Sequence, residues 1–151
     1  MKSVLFAVIS IVALTSTEAL ARSETCHAAT KQQIASLFDR WNRSLQTGDA
    51  KKVVANYATK SILLATVSNT PRLTPEAKED YFVHFLEKKP VGKIDSSTIE
   101  IDCNTAFDAG LYTFTFGDGS QVKARYTYTY RWNGHQWLIT SHHSSAMPEK
   151  E

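Results

Sequence analysis

Residues 122–130 read Val-Lys-Ala-Arg-Tyr-Thr-Tyr-Thr-Tyr, and aromatic or apolar side chains alternate with polar ones along this segment. Because neighbouring side chains of a β-strand point to opposite faces of a sheet, a period of two indicates a strand with two different faces. The three tyrosines, Tyr126, Tyr128 and Tyr130, share one face, and Arg125 lies on the other. The segment therefore predicts a strand with an aromatic side.

Further strands are predicted on both sides of this one. Residues 117–120 read Gly-Asp-Gly-Ser, a composition typical of a hairpin turn, and they follow a predicted strand over 109–116. An earlier strand is predicted over 94–103. After the aromatic strand, Asn-Gly at 133–134 marks another tight turn, and a last strand follows over 137–144. These segments predict an antiparallel meander.

The preceding part of the chain has a helical period. Apolar side chains recur at helical spacing over 34–45, and a short second helix after Asp49 is predicted to carry Tyr57 on its apolar side. Residues 62–67 form a compact β-type run, and a third helix begins at Thr74 with proline following. Helices first and antiparallel strands last predict an α+β fold, with helices on one face of a curved sheet and a cone-shaped cavity between the layers.

The first 21 residues have the pattern of a secretory signal peptide. Lys2 gives a basic start, an apolar run follows, and Ala19-Leu20-Ala21 has the small-residue pattern of a cleavage site. The apolar run is about ten residues long, whereas a spanning helix needs about 20, although an uncleaved anchor is the alternative. We expect a periplasmic or secreted protein with one domain over 22–151 and no membrane contact after cleavage.

The chain contains two cysteines, Cys26 and Cys103. In an oxidising compartment such a pair most simply forms one disulfide. Closing a loop of this length stabilises the fold by about 4–5 kcal/mol in the chain-entropy model. The alternative is a reactive thiol, but the local sequence offers no base beside either cysteine. We therefore predict a structural bridge.

Charge and motifs narrow the class of partner. The formal net charge is +2 and no basic run stands out, which argues against nucleic acid as a partner. The sequence has no P-loop, dinucleotide fingerprint, G-x-S-x-G or H-E-x-x-H motif, so no cofactor is expected.

His142 and His143 are the first candidate site residues. Neighbours in a strand point to opposite faces, so at most one of them enters the cavity. No Asp, Glu or Cys stands at a metal-ligand spacing around them, and no metal site is predicted. The histidine that enters the cavity is a candidate acid/base or hydrogen-bond donor. The alternative is a strand-end histidine satisfied by its neighbours.

Four more residues complete the predicted ligand site. Tyr57, Tyr112 and Tyr128 supply apolar walls with polar tips, which is a common composition of ligand pockets. The guanidinium of Arg125 suits a carboxylate, but strand parity puts Arg125 opposite the tyrosines unless a β-bulge reverses it. The alternatives are tyrosines that serve the core or an interface and an arginine on the surface.

The last two predicted strands also suggest self-assembly. Trp132, Trp137 and Ile139 add apolar area to the tyrosine-rich sheet. Large apolar area on a sheet surface usually indicates an interface. We therefore predict a homodimer through the sheet, or a larger ring.

Several segments together resemble a known family. They are Leu-Phe-Asp-Arg-Trp-Asn at 37–42, Gly-Asp at 48–49, Leu-Tyr-Thr-Phe at 111–114, Ala-Arg-Tyr-Thr at 124–127, Trp-Leu-Ile at 137–139 and, most specifically, His-His-Ser-Ser-Ala-Met-Pro at 142–148. The chain resembles the bacterial SgcJ/EcaC family, which is similar to the association (hub) domain of calcium/calmodulin-dependent protein kinase II. The wider group is nuclear transport factor 2-like, with a cystatin-like cone fold, and includes SnoaL-like cyclases and ketosteroid isomerase.

The resemblance implies a cone, sheet-mediated dimers and a deep pocket, but no particular reaction. The hub domain lines its pocket with arginines that align near Phe114, Tyr130 and Ser144, which leaves Arg125 as the candidate cation. The isomerase's pocket acids have no counterpart. Two functions follow from this: a module that holds a small amphipathic or anionic ligand, or a SnoaL-like or SgcJ/EcaC-type enzyme. Such an enzyme would use His142 or His143 with a tyrosine on a small hydrophobic carbonyl substrate of polyketide or steroid type.

Overall fold

The computed structural model describes residues 25–66 and 68–148. The helices and strands of this part are α1 (Lys31–Leu45), α2 (Ala50–Val54), β1 (Tyr57–Leu64), α3 (Pro75–Leu86), β2 (Val91–Asp102), β3 (Thr105–Thr115), β4 (Gln121–Trp132) and β5 (Trp137–Ala146). The predicted signal peptide, residues 1–21, lies outside the described residues, as does Val67. No described helix is both long enough and apolar enough to cross a bilayer.

The strands form one curved sheet in the order β1-β5-β4-β3-β2. Strands β2 to β5 pair as an antiparallel meander, and the predicted α+β fold with helices on a curved sheet is confirmed. At the edge, β1 pairs with β5 in the parallel direction. The hydrophobic period of a strand does not encode the direction of its partner, so this parallel edge was not predicted.

Helix α1 begins at a capping box and buries one apolar stripe. The Thr30 hydroxyl accepts from the Gln33 backbone N–H, and the Gln33 side chain accepts from the Thr30 N–H. The stripe consists of Ile34, Leu37, Phe38, Trp41 and Leu45, all buried. Burying each large apolar side chain contributes roughly 1.5–3 kcal/mol, which holds the helix on the sheet.

Tyr57 is not on the second helix as predicted, because α2 ends at Val54 and Tyr57 begins β1. The side chain of Asn56 donates to the carbonyls of Lys52 and Val53 and so satisfies the end of the helix. The carbonyl of Asn56 then accepts from the backbone N–H of Ile139 in β5. Pairing with the sheet therefore overrides the local helical period at this point.

The two faces of the sheet differ in the way that the alternation of β4 predicts. Ala124 and the three tyrosines Tyr126, Tyr128 and Tyr130 are buried under the helices, and we call this side the inner face. Arg125 is exposed on the opposite side, the open face.

The apolar residues that suggested an interface do not lie on the open face. Trp137 and Ile139 are buried in the core, and Trp132 stacks on His27 with ring centroids 3.6 Å apart. The apolar side chains on the open face include Leu111, which is 37% exposed, and the half-buried Phe107. The prediction therefore counted core side chains as surface.

The segment before α1 is fastened to the hairpin between β2 and β3. The structure contains the predicted disulfide between Cys26 and Cys103. Beside it, Asn104 accepts from the His27 N–H at 2.9 Å and donates to the Thr25 carbonyl at 3.0 Å. This bridge and its hydrogen bonds hold the N-terminal segment across the end of the sheet.

Candidate functional site

A cavity of about 150 Å³ lies between α3 and the inner face of the sheet. It is lined by Trp41, Leu63, Ala65, Thr66, Tyr81, Phe82, Phe85, Lys88, Tyr112, Phe114, Phe116, Val122, Ala124, His142 and Ser144. Most of these side chains are aromatic or aliphatic. The wall is therefore apolar, with a few polar groups at defined places, as is typical of small-molecule sites.

Three hydroxyl groups form a chain at one end of the cavity. The Tyr112 hydroxyl donates to Ser144 Oγ at 2.6 Å, and Ser144 Oγ also bonds to Thr66 Oγ1. Three hydroxyls carry three protons, and the two bonds within the chain use two of them. One proton, on Ser144 or Thr66, is left to donate to a molecule in the cavity. Burial raises the pKa of Tyr112 above its ordinary value, so its phenol stays protonated.

His142 lines the same cavity as these hydroxyl groups, and its imidazole is hydrogen-bonded to Tyr57. The Tyr57 hydroxyl is 2.7 Å from His142 Nδ1. Burial, with a smaller contribution from His143, lowers the pKa of His142 to about 3, so the imidazole is neutral. A phenol is a stronger acid than a neutral imidazole, and we therefore assign Tyr57 as the donor, which leaves the proton of the ring on Nε2.

The His142 Nε2 atom is buried and has no hydrogen-bond partner among the described residues. A buried donor without a partner is costly, so an unused N–H beside a cavity indicates a place for a ligand or an ordered water. Trp41, another residue of the lining, has a buried Nε1 atom that likewise lacks a partner among the described residues. The unused donors on residues of the wall therefore include these two N–H groups and the spare hydroxyl proton of Ser144 or Thr66.

Tyr57 and Tyr128 do not line the cavity, although both were predicted ligand residues. Tyr57 is bonded to His142, and the Tyr128 ring stacks on the imidazole with centroids 4.1 Å apart. Burial raises the pKa of both phenols well above 10. These two tyrosines therefore support His142, whereas Tyr112 reaches the cavity as predicted.

Arg125 and His143 lie on the open face, away from the cavity, so their prediction as pocket residues is corrected. The register between β4 and β5 is continuous from Arg125 to Thr129, and the bulge that would reverse the facing of Arg125 lies beyond it, at Tyr130. The Arg125 guanidinium instead donates to the Ala146 carbonyl at 3.4 Å. Strand parity therefore decides the position of both residues.

Several cavity residues were not singled out from the sequence. Thr66 reaches the cavity through a bond to Ser144, 78 positions away, which local pattern cannot reveal. Ser144 could have been predicted from the sequence, because it stands two residues after His142 and therefore lies on the same face of the strand. Of the positions that align with hub arginines, Phe114 and Ser144 line the cavity and Tyr130 does not.

The interior also holds an acid that the sequence did not indicate. Asp108 is 1% exposed and accepts from Ser97 Oγ at 2.6 Å and from the Tyr126 hydroxyl at 2.9 Å. Burial raises the pKa of its carboxyl despite these two bonds. Asp108 does not line the cavity. The described residues contain no group of three His, Cys, Asp or Glu side chains placed to hold a metal ion.

Comparison with solved structures places this cavity in a known fold. A protein from Xanthomonas campestris, described as a calcium/calmodulin dependent protein kinase II association domain, is 46% identical to this chain and superposes with a TM-score of 0.76. The match covers 84% of this chain and 98% of the Xanthomonas chain. A nuclear transport factor 2-like protein of unknown function from Pseudomonas putida is 21% identical over 83% of this chain and 92% of its own, with a TM-score of 0.71.

A cyanobacterial iota-carbonic anhydrase, solved with bicarbonate, is 20% identical over 82% of this chain and 95% of its own, with a TM-score of 0.73. At such identities the second and third likenesses show the fold alone. Among curated proteins no match is found. The family model described as the calcium/calmodulin dependent protein kinase II association domain matches residues 30–148. The chain therefore belongs to the calcium/calmodulin-dependent protein kinase II association-domain family.

Proposed function

We propose that the chain is an exported protein that binds a small molecule with an apolar body and a planar, oxygen-bearing end. The observation that carries this proposal is the group of unused donors on residues of an otherwise apolar wall. Two of them are the spare hydroxyl proton of the Tyr112–Ser144–Thr66 chain and His142 Nε2–H. Both suit a carbonyl or carboxylate oxygen.

The size of the cavity limits the ligand. An engineered protein cavity of about 150 Å³ holds one benzene ring, and the cavity described here has about that volume. A steroid or polyketide skeleton of several fused rings is therefore too large to be enclosed by it. The volume favours one-ring aromatic carbonyls, short carboxylates and bicarbonate over the polyketide or steroid substrates considered from the sequence.

Binding is tested with benzoate and bicarbonate by calorimetry and by NMR titration. The matched pair Ser144→Ala and Ser145→Ala removes one hydroxyl from each face of β5. We expect Ser144→Ala to weaken binding about tenfold, because a hydrogen bond of about 1–1.5 kcal/mol is lost, and Ser145→Ala to leave it unchanged. Equal affinities of the two variants, or no binding of either probe to the unmodified protein, would contradict the proposal.

Interconversion of carbon dioxide and bicarbonate is a second candidate function. The hydroxyl chain favours it, since each hydroxyl both donates and accepts and the half-buried Thr66 ends the chain. A water oxygen would attack the carbon of carbon dioxide, one C–O π pair would move to oxygen, and the water proton would leave through the chain to buffer. His142, with its lowered pKa, would donate a hydrogen bond to an oxygen rather than take the proton.

Stopped-flow hydration of carbon dioxide tests this candidate. The unmodified protein and Ser145→Ala should accelerate hydration over buffer, and Tyr112→Phe should lose most of that acceleration, because the chain is cut at its first hydroxyl. A rate equal to that of buffer alone would reject catalysis while leaving the binding proposal intact.

The export and assembly of the protein belong to the same proposal. The signal-peptide pattern and the Cys26–Cys103 disulfide support export, since disulfides persist in oxidising compartments. Intact-mass measurement of exported protein should give a chain that begins at Arg22. Retention of Met1 would contradict cleavage.

Assembly through the open face is supported by the association-domain family and by the apolar side chains Leu111 and Phe107. Light scattering at micromolar concentration should give at least a dimer mass. Leu111→Lys should lower that mass, because it puts a charge into the contact. A monomer mass for the unmodified protein would contradict the proposal.

A further inference from the structure

Arg72 is fixed beside the cavity by its backbone. In the connection between β1 and α3, its N–H donates to the Leu63 carbonyl at 2.9 Å and its carbonyl accepts from the Leu63 N–H at 3.0 Å. This is an antiparallel bridge, and directly paired residues place their side chains on the same face. The Leu63 side chain lines the cavity, so the Arg72 side chain lies on the cavity side of the chain.

The Arg72 guanidinium has no protein partner in residues 25–66 and 68–148. The residue is half-buried, its Nε atom is buried without a hydrogen bond, and no described carboxylate pairs with it. A buried guanidinium N–H without a partner loses hydration, and in Arg72 this applies to Nε, whereas the two Nη atoms are not among the buried unpartnered atoms. An anion that is not part of the described chain would supply the missing partner.

The charge of Arg72 acts on the wall of the cavity. Burial raises the pKa of Tyr81, and the positive charge of Arg72 opposes that rise. Tyr81 lines the cavity, so the guanidinium is close enough to this wall to bias it electrostatically. Arg72 lies next to the lining and not within it; of the described residues that line the cavity, Lys88 is basic and none is acidic. The surroundings therefore favour a negative ligand over a neutral one.

We propose that Arg72 is the residue that selects anionic ligands for this cavity, by pairing with a carboxylate while the apolar body of the ligand lies among the aromatic side chains. This inference rests on the proposed function and adds the charge of the ligand. It also replaces Arg125 with Arg72 as the cation of the site. A planar guanidinium matches a carboxylate through two parallel hydrogen bonds, which a lysine does not reproduce.

The test compares benzoate with benzamide, which has nearly the same shape but no charge. Both are titrated into the unmodified protein, Arg72→Gln, Arg72→Lys and the control Arg125→Gln, with melting curves to verify folding. We expect the unmodified protein to prefer benzoate. Arg72→Gln should weaken benzoate about 10- to 100-fold, since a charge-assisted bond is lost, and should change benzamide less than about twofold.

The controls separate the proposal from its alternatives. Arg72→Lys should fall between the unmodified protein and Arg72→Gln, and Arg125→Gln should match the unmodified protein. If Arg72→Gln weakens both ligands equally, or if Lys88→Gln rather than Arg72→Gln abolishes the preference for benzoate, the assignment of Arg72 is wrong. If neither ligand binds to the unmodified protein, the proposed function itself is overturned.

Discussion

The inner and open faces of β5 carry the same residue types in different surroundings. His142 and Ser144 are buried beside the cavity, whereas His143 is exposed and Ser145 pairs across the open face with Arg125. One step along the strand separates the exposed imidazole of His143 from that of His142, which is 4% exposed, stacked on one tyrosine and bonded to another. Strand parity, rather than residue type, therefore separates the candidate site from the surface.

The same difference explains why an unused donor is informative on one face only. On the open face water satisfies any free hydroxyl or imidazole, so the lack of a protein partner has no consequence. On the inner face a free donor loses hydration and costs about 1–3 kcal/mol unless a ligand or an ordered water replaces it. The Tyr128 and Tyr130 hydroxyls are also buried without a partner among the described residues, so the unused His142 Nε2–H indicates a site only together with the cavity that His142 lines.

The largest expected difference between the faces is in stability. His142→Ala removes a buried ring and leaves the Tyr57 hydroxyl without its acceptor. We expect a loss of about 3 kcal/mol in the free energy of unfolding, from the void and the stranded donor together. His143→Ala should cost less than about 0.5 kcal/mol. Urea unfolding of both variants measures the two losses. Equal losses of unfolding free energy would contradict the difference between the inner and open faces.

A smaller difference is expected for the neighbouring serines. Ser144→Ala removes the acceptor of the Tyr112 hydroxyl and the partner of Thr66. The expected cost is about 1–2 kcal/mol, because a buried phenol is left unpaired. Ser145→Ala should be close to neutral. If adding Tyr112→Phe to Ser144→Ala restores no stability in a double-mutant cycle, the Tyr112–Ser144 bond is not the cause of the loss.

The buried ammonium group of Lys78 makes the free energy of unfolding depend on pH. Lys78 is 0% exposed and donates to the Ser61 carbonyl at 2.9 Å, and burial lowers the pKa of its ammonium. Between this lowered pKa and the ordinary value of 10.5, the unfolded chain holds a proton that the folded chain has released. Stability therefore rises with pH across that window, and the cost of burying the charge is fully present below it.

Lys78→Met should flatten this rise, since it removes the titrating group. Lys123→Met, on the exposed start of β4, should leave the rise unchanged. The measurement is the urea midpoint at several values of pH from 7 to above 10. The same slope in both variants would show that Lys78 does not titrate differently on folding. The effect is expected to be smaller than those of His142 and Ser144, because it appears only in the alkaline window.

The elements that sequence predicted are those with a strong local pattern. The alternation of β4 gave both the strand and the facing of its tyrosines, and the spacing over 34–45 gave α1 and its buried stripe. Gly48 has the left-handed φ of 69° expected where a helix ends. The two cysteines, in the predicted oxidising context, gave the bridge. In each case the information lies within one segment or in a single pair.

The features that were missed depend on contacts between distant segments. The parallel pairing of β1, the position of Tyr57 and the bond between Thr66 and Ser144 are set by packing of segments far apart in the chain. Arg72 is not among the predicted site residues, because its backbone bridge to Leu63 has no local signature. The cavity is built mainly from such contacts, which is why the site was predicted less completely than the fold.

The smallest expected effect concerns Arg125, the residue that the sequence analysis left as the candidate cation of the site. It is exposed on the open face, and its guanidinium makes one long bond of 3.4 Å to a carbonyl. Exposed polar contacts of this kind contribute little, so Arg125→Ala should change the free energy of unfolding by less than about 0.5 kcal/mol. The thermal shift caused by benzoate should also be unchanged, because the sheet lies between Arg125 and the cavity. A loss of that shift in Arg125→Ala, with Arg72→Ala unaffected, would reverse the assignment of the two faces. Such a result would mean that ligands bind on the open face of the sheet.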